Sequence, residues 1–193
     1  RPLDKLFLSK MDKIISTSSQ YASSSKNLIK FSNKVEVIPI CLDTKLYPKP
    51  QESKCLKIQK QFGTQFFLFI GQLRYYKGLH LLLEAVKGIN VPLIIIGQGP
   101  LEQKIRMLID KHIINNVHLI GSVDDQTKVN YINSCYSVIL PSHLRSEAFG
   151  ISLLEGCMLG KPLISCKIRT GTEYINKHNF NGLVAQPNVK SIR

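Results

Sequence analysis

From about residue 66 onward, short apolar runs of strand length alternate with stretches of helical period, and few folds accommodate that order. Strands are expected near 66–70, 92–96, 117–120, 137–140, 162–166 and 183–185. Helices are expected near 53–61, 77–88, 101–113, 126–134, 149–159 and 172–177. This is the pattern of an α/β protein, a Rossmann-like parallel sheet with helices on both faces. Ligands of such sheets bind in the crevice beyond the carboxyl ends of the strands. The glycines at 71, 97, 121 and 150 all fall where a strand ends or a helix begins, so they are expected along that edge.

One stretch concentrates the chemistry. Val138-Ile139-Leu140 stops at Pro141 and polar loop residues follow; Ile151, Leu154 and Met158 then recur at helical spacing. Gly160-Lys161-Pro162 ends that helix with a glycine cap and a breaker. Glu147 and Glu155 punctuate the stretch. On one helix they would lie about 12 Å apart, at about 1.5 Å per residue, too far to share a proton or a metal ion but suited to an extended ligand. A helix over 149–159 places the amides of Ala148, Phe149, Gly150 and Ile151 in its first turn. N–H groups there lack intrahelical partners and attract anions and hydroxyl oxygens. Gly150 leaves room for a close approach. Spacing alone fits better a surface Glu near a helix start and a solvated Glu on its exposed face.

Ahead of this region, residues 1 to 34 carry seven basic and two acidic side chains. Lys13 to Ser16 reads as a short strand, and the Ser-rich run Ser16 to Ser25 opens a helix reaching about Phe31. Val35 to Pro39 alternates like a second short strand closed by proline. Pro48 and Pro50, within Leu46 to Gln51, mark a linker. The expected division is residues 1–45, the end of one domain with the start of the linker, and 46–193, the main domain.

The 193 residues are 44% hydrophobic and 20% charged, a globular composition. No apolar run approaches the ~20 residues that cross a bilayer, and no signal peptide is legible. Beginning at Arg1 without Met, the sequence is expected to be a piece of a longer one. Cys41, Cys55, Cys135, Cys157 and Cys166 form no C-x-x-C pair and the five histidines are scattered, so free thiols in a reducing compartment and no metal site are expected. Asp124-Asp125 is adjacent rather than D-x-D and reads as a helix cap. A net charge of +13 admits nucleic acid, an anionic membrane face or phosphorylated ligands as partners. The lysines are spread out and no nucleic-acid-binding motif is present, so nucleic acid is not expected.

Three strand exits complete the set. Gly71-Gln72-Leu73-Arg74-Tyr75-Tyr76-Lys77-Gly78 leads into a helix, and a cation at a helix start opposes the dipole, which singles out Lys77. Ile94 to Pro100 is a strand meeting a glycine-rich turn, a weak phosphate-loop signal by itself. Gly121, Ser122 and Val123, after Val117 to Ile120, would let a flat ring sit against main chain. His143 and Arg145 lie in the loop before Glu147, from which both could reach the pocket; for His143 the expectation is that it faces water.

The wording of these pieces, in this order, resembles family 4 retaining glycosyltransferases of the two-domain GT-B architecture, over residues 12 to 187. P-S-x(3)-S-E-A-F-G-I-S-L-L-E-G-C-x-x-G-K-P is similar to the family's E-x7-E signature, and Gly71 to Gly78 to its G-R-L-x-x-x-K-G. Gly97-Gln98-Gly99-Pro100, Val117 to Val123, Asn181-Gly182-Leu183-Val184, Asp12 to Ser16 and Val35 to Asp43 resemble further family segments. Gln72 departs from the family's Arg, and Ile40-Cys41 from its Asn-Gly. The spacing from Gly171-Thr172-Glu173 to Gly182 is one residue longer than usual.

The resemblance implies that residues 46–193 are a nucleotide-sugar-binding domain, the C-terminal half of a GT-B fold. It assigns Glu155 to the ribose hydroxyls, and Glu147 with the amides of Ala148, Phe149, Gly150 and Ile151 to the sugar. Lys77 falls to the leaving diphosphate. Gln72 carries no charge, so Arg74 is the candidate replacement if its loop turns inward. Gly71 and Gly97 would border the pocket, with Gly121, Ser122 and Val123 along the base. The implied reaction is retaining transfer of a hexose from a nucleotide-sugar to a glycan or lipid-linked acceptor in cell-surface polysaccharide synthesis. Residues 146–166 look most like O-antigen and lipopolysaccharide mannosyl- or rhamnosyltransferases, which suggests GDP-mannose. The nucleotide-sugar is a substrate, and no cofactor or metal is expected. The family's setting implies a cytoplasmic protein, peripheral at the inner membrane, whose missing N-terminal domain supplies the acceptor side. The chain alone is then expected to bind donor without turnover. A reading from another class is a non-catalytic basic module docking on a membrane surface or nucleic acid, which salt would weaken steeply.

Overall fold

A computed structural model describes residues 2–111 and 114–193. The chain begins with α1 (Pro2–Lys10), β1 (Ile14–Ser16), α2 (Ser19–Ser24) and β2 (Val35–Val37). The Ser18 hydroxyl caps α2 by accepting from the Tyr21 amide. The helix expected to reach Phe31 stops at Ser24; tight 3-10 turns over Leu28–Lys34 follow, broken at Phe31. The Ser24 hydroxyl bonds back to the Gln20 carbonyl, the local competition that makes serine a poor helix continuer. Helix α1, not expected from the sequence, leaves Leu3, Leu6 and Phe7 exposed. Strands β1 and β2 pair in parallel, Ile14 opposite Val35.

The main domain follows as α3 (Glu52–Phe62), β3 (Phe67–Ile70), α4 (Leu79–Ala85), β4 (Leu93–Ile96) and α5 (Glu102–Lys111). It continues as β5 (Val117–Gly121), α6 (Asp125–Ser134), β6 (Ser137–Leu140), α7 (Ile151–Met158) and β7 (Leu163–Cys166), and closes with α8 (Thr172–Ile175), β8 (Gly182–Ala185) and α9 (Val189–Ile192). The six strands are all parallel, in the order β5-β4-β3-β6-β7-β8. Helix α4 packs with α5 and α9, and α3 with α6. Right-handed crossovers, the rule for parallel strands, would set these groups on opposite faces. Strands covered on both faces must be apolar throughout, and Leu68, Phe69, Leu93, Ile94, Ile95, Val138 and Leu140 are fully buried. Each such side chain contributes about 1.5–3 kcal/mol through burial.

Two helix starts beside the site depart from the sequence-based expectation. The helix predicted from residue 77 begins at Leu79, because Gly78 sits at φ +72, where a right-handed helix cannot continue. Lys77 instead ends a 3-10 turn, Tyr75–Lys77. The helix predicted from 149 begins at Ile151, because Gly150 at φ 92, ψ 61 caps it from outside. Ala148 and Phe149 are therefore loop residues, not first-turn residues. The predicted end of α5 at 112–113 lies outside the described residues. Helix α9, capped by the Asn188 side chain, went unpredicted.

The strand order locates a crevice. The chain lays down β3, β4 and β5 outward to one edge, then returns to place β6 on the other side of β3. At such a switch point the loops leaving two neighbouring strands diverge and open a cleft at their carboxyl ends. Here those loops are residues 71–78 and 141–150.

Candidate functional site

The two loops touch. A Cβ on residue 78 would stand 2.0 Å from the Pro141 carbonyl oxygen, so only glycine permits this approach. The His143 amide donates to the Tyr76 carbonyl at 3.0 Å and ties the loops together. This contact aims Lys77 into the cleft, where its Nζ lies 2.5 Å from Glu147 Oε2. The two side chains are only 11% and 9% exposed. Glu147 Oε2 also accepts from the Ser142 hydroxyl at 2.9 Å.

The second carboxylate, Glu155, sits on α7 and is 5% exposed. Its Oε1 accepts from the Tyr47 hydroxyl at 2.8 Å and from Lys128 Nζ at 2.7 Å. Lys128 also donates to Asp125 Oδ1 at 2.8 Å. Burial, followed by the hydrogen bond to Glu155, raises the Tyr47 pKa well above the ordinary phenol value. Burial pulls the Lys128 pKa down, but hydrogen bonds to Asp125 and Glu155 and the charges of both leave it raised overall. Helix α7 can lie this close to the sheet because residue 156 has no side chain: a Cβ there would stand 2.8 Å from Val138 Cγ2.

A cavity of about 460 Å³ opens between these groups. Of the residues singled out in the sequence, Gly71, Lys77, Glu147, Ala148, Phe149, Gly150, Ile151 and Glu155 line it. Ile40, Ile70, Lys128, Ser146 and Ser152 line it as well. Gln72, Arg74, Gly97, Gly121, Ser122 and Val123 are not in its wall. Arg74 and Gln72 are exposed and bonded to each other, Nε to Oε1 at 2.8 Å. Gly71, Gly97 and Gly121 stand side by side at the strand ends, with the Gly97 amide donating to the Gly121 carbonyl at 2.8 Å. A larger depression at the opposite end of the sheet, lined by Lys87, Asn90, Asn116 and His118, gathers no comparable set of charges.

Two loop residues behave differently from expectation. His143 does not face water: both ring nitrogens are buried without a hydrogen-bond partner of ordinary geometry. Its ring packs edge-on against Tyr75 and His80, at centroid distances of 4.8 and 5.0 Å. Arg145 Nη1 donates to the Ser24 hydroxyl at 2.6 Å and the Arg169 carbonyl at 2.7 Å, and the guanidinium lies over Tyr21. Neither residue lines the cavity. The sequence reading did not single out Tyr47, Lys128 and Ser142. Lys128, one turn after Asp125, looks like a surface ion pair; only the adjacency of Ser142 to Pro141 at a strand end pointed to it. Asp124 does cap α6, accepting from the Thr127 amide. Among the described residues no helix is long and apolar enough to cross a membrane.

Comparison with known proteins adds the following. A family model described as Glycosyl transferases group 1 matches residues 52–193. The D-rhamnosyltransferase WbpZ of Pseudomonas aeruginosa is 47% identical over 187 residues, covering 97% of this chain and 49% of that protein. The O-antigen chain mannosyltransferase C of Escherichia coli is 42% identical over 188 residues, covering 97% and 50%. The chain thus spans about half the length of the curated relatives it matches. Among solved structures, sucrose-phosphate synthase from Thermosynechococcus elongatus superposes with a TM-score of 0.85 at 20% identity, over 99% of this chain and 49% of that one. Anabaena HepE in complex with UDP and glucose gives 0.77 at 22%, over 94% and 51%. At such identities the likeness is one of fold, and the fold is that of GT-B glycosyltransferases.

Proposed function

We propose, from the premise that this chain belongs to the group 1 glycosyl transferases, that it is the donor-binding half of a retaining hexosyltransferase. The observation that carries the reading is the convergence of Lys77, Glu147 and Glu155 on one cavity at the β3–β6 switch point. A nucleotide-sugar fits the layout, with its ribose at Glu155 and its diphosphate near Lys77. Its sugar hydroxyls then meet Glu147 and the N–H groups of Ile151 and Ser152, which lack intrahelical partners at the start of α7. When the bond between the anomeric carbon and the diphosphate breaks, negative charge gathers on the leaving phosphate. Lys77 is already held in the cleft by Glu147, so its charge meets that phosphate without prior rearrangement. The protein's own cations do this work, and no metal is assigned to it.

The donor is proposed to be GDP-mannose; the mannosyltransferase and rhamnosyltransferase names of the relatives support a sugar of this type. The acceptor is a glycan or lipid-linked chain in cell-surface polysaccharide synthesis, met at the cytoplasmic face of the membrane. The surplus of 26 basic over 13 acidic residues suits such a surface. Residues 1–45 would end the domain that supplies the acceptor side. Calorimetric titration with GDP, UDP, GDP-mannose and UDP-glucose tests the proposal. GDP and GDP-mannose should bind selectively, with Lys77→Ala weakening them about tenfold or more. Unselective binding of every anion, collapsing as salt is raised, would replace this reading with that of a basic docking module.

A further inference from the structure

Glu155 is gripped from two directions by the same oxygen. Tyr47 reaches it from the linker and Lys128 from α6, and both bonds end on Oε1. Lys128 is itself steadied by Asp125, and its ammonium lies 5.8 Å from the centroid of the Tyr47 ring. The linker is no loose tether at this point. Gln126 Nε2 donates to the Lys49 carbonyl at 2.9 Å, and Asn130 Oδ1 accepts from the Gln51 amide at 2.8 Å. Residues 126 and 130 lie one turn apart on α6, so the linker is stitched along that helix and delivers Tyr47 to a fixed place.

A carboxylate offers two oxygens. Two donors converging on one of them, from separate elements, fix the rotation of the group and leave Oε2 for a ligand. A glutamate without such supports would have to surrender side-chain freedom each time it bound. A hydrogen bond to a ligand hydroxyl also weakens steeply when the acceptor is misplaced.

We infer that Tyr47 and Lys128 are positioning residues that orient Glu155 toward a vicinal diol, and so set how strongly the site prefers a ribonucleotide to its dideoxy form. This rests on the proposal that Glu155 meets the ribose. Tyr47 lies outside the cavity wall and need not touch the nucleotide, and the linker thereby takes part in donor recognition.

The test compares GDP and UDP, each with its 2′,3′-dideoxy form, by calorimetry on the wild type and on Tyr47→Phe, Lys128→Met and Glu155→Gln. The wild type should prefer the ribose form about tenfold or more, from a hydrogen bond to a charged group. Tyr47→Phe, which keeps the ring beside Lys128, and Lys128→Met should each narrow that preference by about threefold or more. In Tyr47→Phe, which alters a residue outside the cavity wall, affinity for the dideoxy forms should stay near the wild-type value, since they cannot use Glu155. Equal losses for both forms in Tyr47→Phe would mean general loosening of the site and would overturn the inference. A preference that survives both variants but vanishes in Glu155→Gln would overturn it too, while sparing the ribose assignment. No preference in the wild type, or no binding of either nucleotide, would remove the ribose assignment and the inference with it.

Discussion

Lys77 and Glu147 meet at 2.5 Å across the β3–β6 junction, each carried by the loop that leaves a different strand. Both are nearly withdrawn from water, and removing one partner of such a pair leaves an uncompensated charge worth about 3–5 kcal/mol. Lys77→Met should therefore lower stability in urea by an amount of that order. The double variant Lys77→Met with Glu147→Gln should regain most of it, whereas a further additive loss would show that the two groups are not coupled.

Arg74 points elsewhere. Exposed and bonded to Gln72, it lies outside the cavity wall and contributes no more than a surface contact of small worth. Arg74→Ala is expected to change GDP affinity by less than about twofold, the scale of such contacts. A loss approaching that of Lys77→Ala, measured at the same salt, would mean the loop rearranges on binding and brings the guanidinium in.

Gly156 governs the seating of the helix that bears Glu155. The methyl of an alanine would stand 2.8 Å from Val138 Cγ2 and 3.0 Å from Leu163 Cδ2. Overpacking of this kind costs about 1–3 kcal/mol, so Gly156→Ala should lower Tm and weaken nucleotide binding together. Adding Val138→Ala makes room for the methyl and should restore binding more than Tm, because it leaves its own packing deficit.

The rings of His80, His143 and Tyr75 brace the two loops of the site, and two of them titrate. Burial lowers the pKa of both histidines below 6.5; for His80 the neighbouring His143 and Lys104 add to the effect, and for His143 the Tyr76 carbonyl opposes it. The unfolded chain then takes up protons first as pH falls. Stability is full above about pH 6.5 and declines as pH drops from there to the folded pKa values. Thermal melts between about pH 8 and about pH 5 should show this slope, flattened in the double variant His80→Asn with His143→Asn. An unchanged slope would place the acid sensitivity elsewhere.

Much of the fold could be read from the chain because β3, β4 and β6 are continuous apolar runs bounded by glycine or proline. Helix starts were less legible. Gly78 and Gly150 are tolerable helix residues by pattern, and only their left-handed backbone excludes them. The site divides in the same way. Glu147, Glu155 and Lys77 stood out through the wording around them. Tyr47 and Lys128 did not, because their bonds to Glu155 form only when the linker and α6 pack beside α7, contacts between distant parts of the sequence. His143 looked like a loop residue for water because nothing adjacent in sequence announces Tyr75 and His80 as its neighbours.

The strand order also has a kinetic side. Phe67 pairs with Leu93 on one flank and with Ser137, much further along the chain, on the other. Closing the longer loop costs more entropy, so β3, β4 and β5 are expected to zip up before β6 docks. The candidate crevice lies along that seam. Native-state hydrogen exchange should find the amides linking β6 to β3 opening at lower free energy than those linking β3 to β4. A nucleotide bridging Lys77 and Glu155 would then act as a clasp on the joint that folding closes last, protecting those same amides.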